Sequence, residues 1–169
     1  MLARKYRARK MRTKNGASGI AEFGPGMWVL VLCIFFPLVD ILSVCLAYCT
    51  VMVLNYNQVN QASLIKASDA ASPNGEVKKG IPDVWRSGMG KFVNMSGSPQ
   101  TDVAYRNGQK ETGTGATDAE DVIVIVKTTV NCNPFLPIPF FVGIPGINAQ
   151  FPLVVAQERQ MENPDYSAQ

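Results

Sequence analysis

The stretch FGPGMWVLVLCIFFPLVDILSVCLAYCTVMVL, Phe23 to Leu54, holds one charged residue, Asp40, in thirty-two. A helix rises about 1.5 Å per residue, and about 20 residues cross a hydrocarbon core roughly 30 Å thick, so the run is long enough for one membrane pass. Directly ahead of it stand Arg4, Lys5, Arg7, Arg9, Lys10, Arg12 and Lys14, with no acidic residue before Glu22. A short flank this rich in Lys and Arg stays on the cytoplasmic side. The expected topology is therefore a single pass with a cytoplasmic N-terminus, and residues 55–169 lie outside the cytoplasm. The expected division is a basic tail (1–22), a transmembrane helix (23–54), a helix extension (55–72) and an extracytoplasmic domain (73–169).

A cleaved signal peptide also has a basic region followed by an apolar one. Here the apolar run is about twice a normal signal core, and no A-x-A site ends it before the chain turns polar near Asn55. A lipoprotein signal calls for small residues before its cysteine, whereas Val44 precedes Cys45 and Tyr48 precedes Cys49. A retained anchor is the better reading of both observations.

The formal charge of +3 conceals an asymmetry. Without the seven tail residues the body has nine basic residues against thirteen acidic, a formal charge of −4. The net positive charge is concentrated in a short arm suited to topology and to anionic lipid head groups, which argues against a nucleic-acid partner. Three of four cysteines, Cys33, Cys45 and Cys49, fall in the apolar run, and Cys132 stands alone in the outer part. No disulfide framework can form there, and Cys132 reads as a buried free thiol or an intermolecular link. Cys45 and Cys49 read as small apolar side chains one helical turn apart.

The helix is not expected to stop at the membrane. From Asn55 to Ser72 there is no Gly or Pro, and Val59, Ala62, Ile65 and Asp69 recur three or four apart. These spacings predict one continuous helix from about Pro25 to Ala71, roughly 70 Å long, stopped by Pro73-Asn74-Gly75. Pro25 suits a first helical turn, and Pro37, in mid-span, predicts a kink or a locally melted turn. Asp40 costs several kcal/mol at membrane depth unless it has a partner or reaches water, so it marks a protein contact or a position near the outer interface.

Ile81, Val84, Trp85, Met89 and Phe92 recur at helical spacing behind Pro82-Asp83, and predict a short amphipathic helix with these residues facing the core. Val103 and Tyr105 alternate before Arg106-Asn107-Gly108, which suits a two-residue hairpin loop. Gln109 to Glu120 is polar and reads as a disordered loop. The clearest strand is Val122 to Val130, dense in β-branched residues, and a last strand is expected over Gln150 to Met161, with Pro152 placing its start at an edge or entry. The fold class is α+β: a long N-terminal transmembrane helix extending into a small extracytoplasmic domain with a three- or four-stranded antiparallel sheet and one or two helices. Between the last two strands, Asn133 to Gly146 reads NPFLPIPFFVGIPG. A loop this apolar folds over the sheet as core, touches the membrane surface, or docks another subunit through Phe135, Leu136, Ile138, Phe140 and Phe141.

Two stretches together resemble a known family. NGASGIAEFGPGMWVLVL with FFPLVDILSVCLAY is similar to the start of TadE-like proteins of the bacterial tight-adherence (Tad) pilus system. VIVIVKTTVNCNPFLPIPFF with FPLVVAQERQMENP resembles the closing portion of TadE- and TadG-like proteins. These segments cover about half the chain. The resemblance implies a type IV prepilin-like leader, cut on the cytoplasmic side by a prepilin peptidase so that Glu22 falls at the fifth mature position, with Phe23 after it. Counting back from Glu22 puts the cut between Ala17 and Ser18, whereas the glycine of the pattern is Gly16, one residue earlier. Glu22 also has a physical reason to stand where it does. A carboxylate at a helix N-terminus is favoured by the unpaired N–H groups there, and at the membrane boundary it can pair with the basic tail or a neighbouring subunit's amine.

The function so implied is that of a pilin-like or pseudopilin-like minor subunit or assembly component, resident in the bacterial inner membrane with its head periplasmic or extracellular. It would act by packing against membrane lipid, other pilus or secretion-machinery subunits, or copies of itself. A membrane-anchored adaptor or adhesin unconnected with a pilus is the alternative. Catalysis is not expected. The chain has no histidine, which removes Ser-His-Asp and Cys-His sites and histidine metal ligands. Asp118, Glu120 and Asp121 lack the alternating oxygens of a calcium loop, and Gly113 and Gly115 lack the lysine or third glycine of a phosphate cradle. No cofactor, metal or small-molecule substrate is anticipated.

Overall fold

A computed structural model of the chain describes residues 15–107, 110–113, 122–136 and 143–162. The chain forms two compact units, Met1–Pro37 and Leu38–Gln169. Within the first, α1 spans Asn15–Leu30 and is followed by a π-helical turn over Val31–Phe35. The helix thus starts ten residues before Pro25, which lies inside α1 instead of opening it. A proline deletes one backbone bond, which does not undo the preceding residues when Ala17, Ala21 and Glu22 favour the helix. The π turn answers the expectation at Pro37. Pro37 cannot donate to the Cys33 carbonyl four residues back, and its ring crowds that carbonyl. The backbone widens instead, with the N–H of Phe36 donating to the Val31 carbonyl. The helical run Phe23–Leu64 is long and apolar enough to cross a membrane.

The second unit is built on α2 (Phe36–Leu64), whose buried residues are Asp40, Ala47, Val51, Leu54, Asn55, Gln58, Val59, Ala62 and Ser63. Their spacing of three, four and seven draws one stripe along a helix face. That stripe packs on a sheet of four antiparallel strands in the order β2-β1-β3-β4, with β1 Gln100–Asn107, β2 Lys110–Gly113, β3 Val122–Cys132 and β4 Phe151–Gln160. Alternate residues of β3, from Val122 through Val126 and Thr128 to Cys132, are buried, as a half-covered strand requires. Val59 and Ala62 share a cluster with Val122, Val124 and Val126, whereas Ala47 and Val51 share one with Val130 and Cys132. The central strand therefore runs antiparallel to the helix.

Three expectations are corrected. The helix is not continuous to Ala71: it breaks after Leu64, Lys66 is extended, and α3 occupies only Ala67–Ala71. The cause is competition for carbonyls. The Ser63 carbonyl accepts the N–H of Glu162, 3.1 Å away beyond β4, and the Ser63 hydroxyl donates to the Asn60 carbonyl at 2.8 Å. The stretch Gln109 to Glu120 is not wholly loop, because Lys110–Gly113 forms β2, paired with the end of β1. Asn107 pairs with Lys110, so the two connecting residues are 108–109, one place later than the Asn107-Gly108 pair.

The third correction concerns α4, Ile81–Ser87, and the 3-10 turn Met89–Phe92. Trp85 is buried and Ile81 partly so, but Val84, Met89 and Phe92 are exposed at 72%, 51% and 79%. The helix ends at Gly88, so the later residues leave its face. Gly90 is required by packing: a Cβ there would stand 2.9 Å from the Trp85 ring. Pro152 sits on edge strand β4, opposite Asn131 of β3.

A buried polar network joins the layers. The Asn55 amide donates to the carbonyl of Val126 at 2.8 Å, the hydroxyl of Thr128 at 2.9 Å and the carbonyl of Val155 at 3.3 Å. Gln58 donates to the Val77 carbonyl and the Thr101 hydroxyl, both at 2.7 Å, and accepts from the Thr128 hydroxyl at 2.6 Å. Removing Asn55 takes a donor away from three buried acceptors on β3 and β4. Asn55→Ala is expected to lower stability by about 2–3 kcal/mol, whereas Asn57→Ala on the exposed side stays within about 0.5 kcal/mol. Denaturant titration of the detergent-solubilised chain followed by circular dichroism checks both.

Candidate functional site

Asp40 continues the sheet-facing stripe of α2 two helical turns before Ala47. It is 2% exposed, and its Oδ1 accepts the backbone N–H of Leu136 at 2.8 Å. Its Oδ2 is buried without a hydrogen-bond partner. Asp40 therefore has a protein contact, with the apolar loop that follows β3. That loop is braced from a second direction by the segment after the 3-10 turn. Asn133 donates its N–H to the Asn94 carbonyl at 2.7 Å, the Asn94 amide donates to the Pro134 carbonyl at 3.1 Å, and Met95 bridges to Cys132. Pro134 is buried, Leu136 half-buried and Phe135 exposed at 59%. Ile138, Phe140 and Phe141 lie outside the described residues.

At the other end of the sequence, Gly16, Ala17, Ser18 and Glu22 fall within α1, and Phe23 is 68% exposed. Asp118, Glu120 and Asp121 lie outside the described residues. No group of three Cys, Asp or Glu among the described residues is arranged to hold a metal ion.

Away from the sheet, α2 presents Ile41, Leu42, Leu46, Tyr48, Met52 and Tyr56, each between 38% and 61% exposed. Beside this face, between α2 and α4, lies an open groove of about 580 Å³ lined chiefly by Val53, Leu64, Ile81, Val84, Trp85 and Met89. The Trp85 indole N–H donates to the Thr50 carbonyl at 3.0 Å, which fixes the groove floor. Sequence reasoning assigned Val84 and Met89 to the core and so missed this surface. The signal that could have found it was Gly88, which ends the helix before Met89. It also missed Asn55 and Gln58, which look like solvated helix residues until the sheet above them is known.

On the open face of the sheet Arg106 and Glu158 form an ion pair across β3. Two groups in the head have shifted proton affinities. Burial pushes the Tyr105 phenol up to about 12 and the Cys132 thiol up to about 11. No protein family, curated protein or solved structure matches this chain.

A thiolate is the nucleophile, so Cys132 is expected to be inert in the folded head. Its pKa is raised from 9.0, so the stabilising contribution of its neutral form is complete below pH 9 and is lost as pH rises through about 11. In a Cys33→Ala, Cys45→Ala, Cys49→Ala chain, iodoacetamide at pH 8 should modify folded protein at least about tenfold more slowly than urea-unfolded protein. Similar rates would contradict the burial. For the Asp40 contact, Asp40→Leu should speed hydrogen exchange at the Leu136 amide at least about tenfold, and Asp40→Asn, which keeps an oxygen acceptor, should not.

Proposed function

We propose that this chain is a membrane-anchored, non-catalytic, pilin-like protein, a TadE-like minor subunit or assembly component of a tight-adherence pilus or related secretion system. It sits in the bacterial inner membrane with its N-terminus cytoplasmic. The observation that carries this reading is the division of labour along one helical run. The earlier part is apolar and long enough to cross a bilayer. The later part, from Ala47 to Ser63, is buried lengthwise against an antiparallel sheet. A helix so divided holds a small head at the membrane and leaves its other face, Leu46, Tyr48, Met52 and Tyr56, free to pack on neighbours. Lateral packing of this kind is how a pilin-like subunit acts, and it requires no reacting group.

The span is shorter on this reading than the whole apolar run. Ala47, Val51 and Leu54 already face the sheet, so the hydrocarbon-crossing part ends near Leu42, about 20 residues counted from Phe23.

Deleting the chain from its native cell should abolish surface filaments or the linked secretion, and Met52→Arg or Tyr56→Arg should do so while the protein still accumulates in the membrane. Normal filaments and secretion after deletion would leave the pilus-independent adaptor or adhesin. Intact mass of the protein from native membranes reports on the leader: a start at Ser18 or Ala17 indicates processing, and a start at Met1 a permanent anchor.

A further inference from the structure

We infer that the end of the head nearest Asp40 is seated in the outer interface of the lipid bilayer, with Phe92 and Phe135 entering it. This rests on the membrane-anchor reading and names the head's partner as lipid. The sheet defines two ends. β3 runs from Val122, packed by Val59, down to Cys132, packed by Ala47. Two connections therefore meet the Asp40 end: residues 87–99, which bridge to Cys132 through Met95, and the one between β3 and β4, through its described residues 133–136 and 143–150.

Between them these two connections carry a single charge, Lys91. At the opposite end, the described residues where β1 meets β2 carry three charges, Arg106, Lys110 and Glu111. The head is thus apolar at one end and charged at the other. The apolar end is also the one tied to the helix at membrane depth. Asp40 accepts the Leu136 N–H, and twenty residues counted from Phe23, enough to cross the hydrocarbon, end at Leu42. Phe92 is 79% exposed and Phe135 59%, although each belongs to a segment whose neighbours Val93 and Pro134 are buried. Large aromatic rings held outward on braced backbone beside a membrane-spanning helix are placed as interfacial anchors are. Lys91, beside Phe92, has a chain long enough to lay its stem on the apolar surface while its ammonium meets anionic head groups.

The test uses the full chain in nanodiscs of phosphatidylcholine and phosphatidylglycerol, with and without lipids brominated on the acyl chain near the carbonyl. Tryptophan is placed at the surface by Phe92→Trp, Phe135→Trp or Val84→Trp in a Trp28→Phe background. Emission at positions 92 and 135 should fall by about half in brominated discs, and emission at position 84 and from Trp85 should change by less than about a tenth, as expected for side chains entering the upper 5–10 Å of the interface. No quenching at 92 or 135 overturns the inference. So does equal quenching at 84, which would mean that the head lies flat on the bilayer. A position-135 signal that ignores bromine but shifts with the number of chains per disc would assign the surface to a second copy instead. Quenching of Trp28 in the unsubstituted chain separates the two levels: if Trp28 is quenched and 92 and 135 are not, only this inference fails, and if Trp28 is not quenched the anchor reading fails with it.

Discussion

The arrangement of the head depends on the hydrogen bonds that Asn55 and Gln58 make from α2 to three of the four strands. Apolar side chains alone specify this interface loosely. A stripe of Ala, Val and Leu can slide along a row of valines by one helical turn and bury nearly the same area. The polar network cannot slide. Asn55 reaches carbonyls on β3 and β4, Gln58 reaches Thr101 on β1 and the Val77 carbonyl, and Thr128 joins the two amides by accepting from one and donating to the other. Shifting the helix by a turn would strand every one of these groups in a dry interior at about 1–3 kcal/mol each. The acceptors also fix which way each amide points, because two carbonyls can only face the nitrogen of Asn55.

That register has consequences fifteen residues away. With Asn55 set against Thr128, two further turns of helix toward the N-terminus bring Ala47 to Cys132, and two more bring Asp40 to the loop beyond it. The Leu136 N–H is an irregular-backbone donor with no strand to pair with, and Asp40 is an acceptor that the surrounding apolar run does not otherwise satisfy. The bond satisfies the Leu136 N–H and one of the two carboxylate oxygens, Oδ1. The two Asn94 contacts serve the same loop from the other side, which explains how a segment with so many prolines keeps a fixed course through Pro134 and Leu136.

Much of this was legible in the sequence, for identifiable reasons. The β-branched density of Val122 to Val130 and the turn residues after Tyr105 pointed to antiparallel strands, with the turn one place late, and Pro152 fitted an edge or an entry. Pro37 announced a local departure from α geometry, although whether it would kink, melt or widen was not written in the residue. What escaped was tertiary. Nothing local distinguishes Ser63, whose carbonyl is captured by Glu162, from any other helical serine, so the break at Lys66 was invisible. Asn55 and Gln58 carry the composition of a solvated helix and work as core. Conversely Val84, Met89 and Phe92 carry the composition of core and are surface, the last two because a helical spacing across Gly88 describes a helix that ends there. Of the loop positions named in advance, Leu136 was brought to Asp40 by a contact ninety-six residues long in sequence, which no pattern encodes.

The free face of α2 sets how such a protein could associate. Beyond the twenty residues a bilayer needs, Leu46, Tyr48, Met52, Val53 and Tyr56 remain about half exposed. Completing the burial of one such side chain is worth about 1 kcal/mol, half the value for a fully exposed one, so the five together offer about 5 kcal/mol. Joining two freely diffusing proteins costs about 4–15 kcal/mol of translational and rotational freedom. In dilute solution this contribution falls at the low end of that cost, so the face by itself holds two subunits only weakly. A helix already fixed in a bilayer has given up one direction of translation and most of its tilt, so the remaining cost is smaller and the same face can suffice. On the pilin-like reading, anchoring is therefore a condition for lateral packing as well as a means of localisation. A surface this sparing stays reversible, as a subunit that must be exchanged during assembly requires.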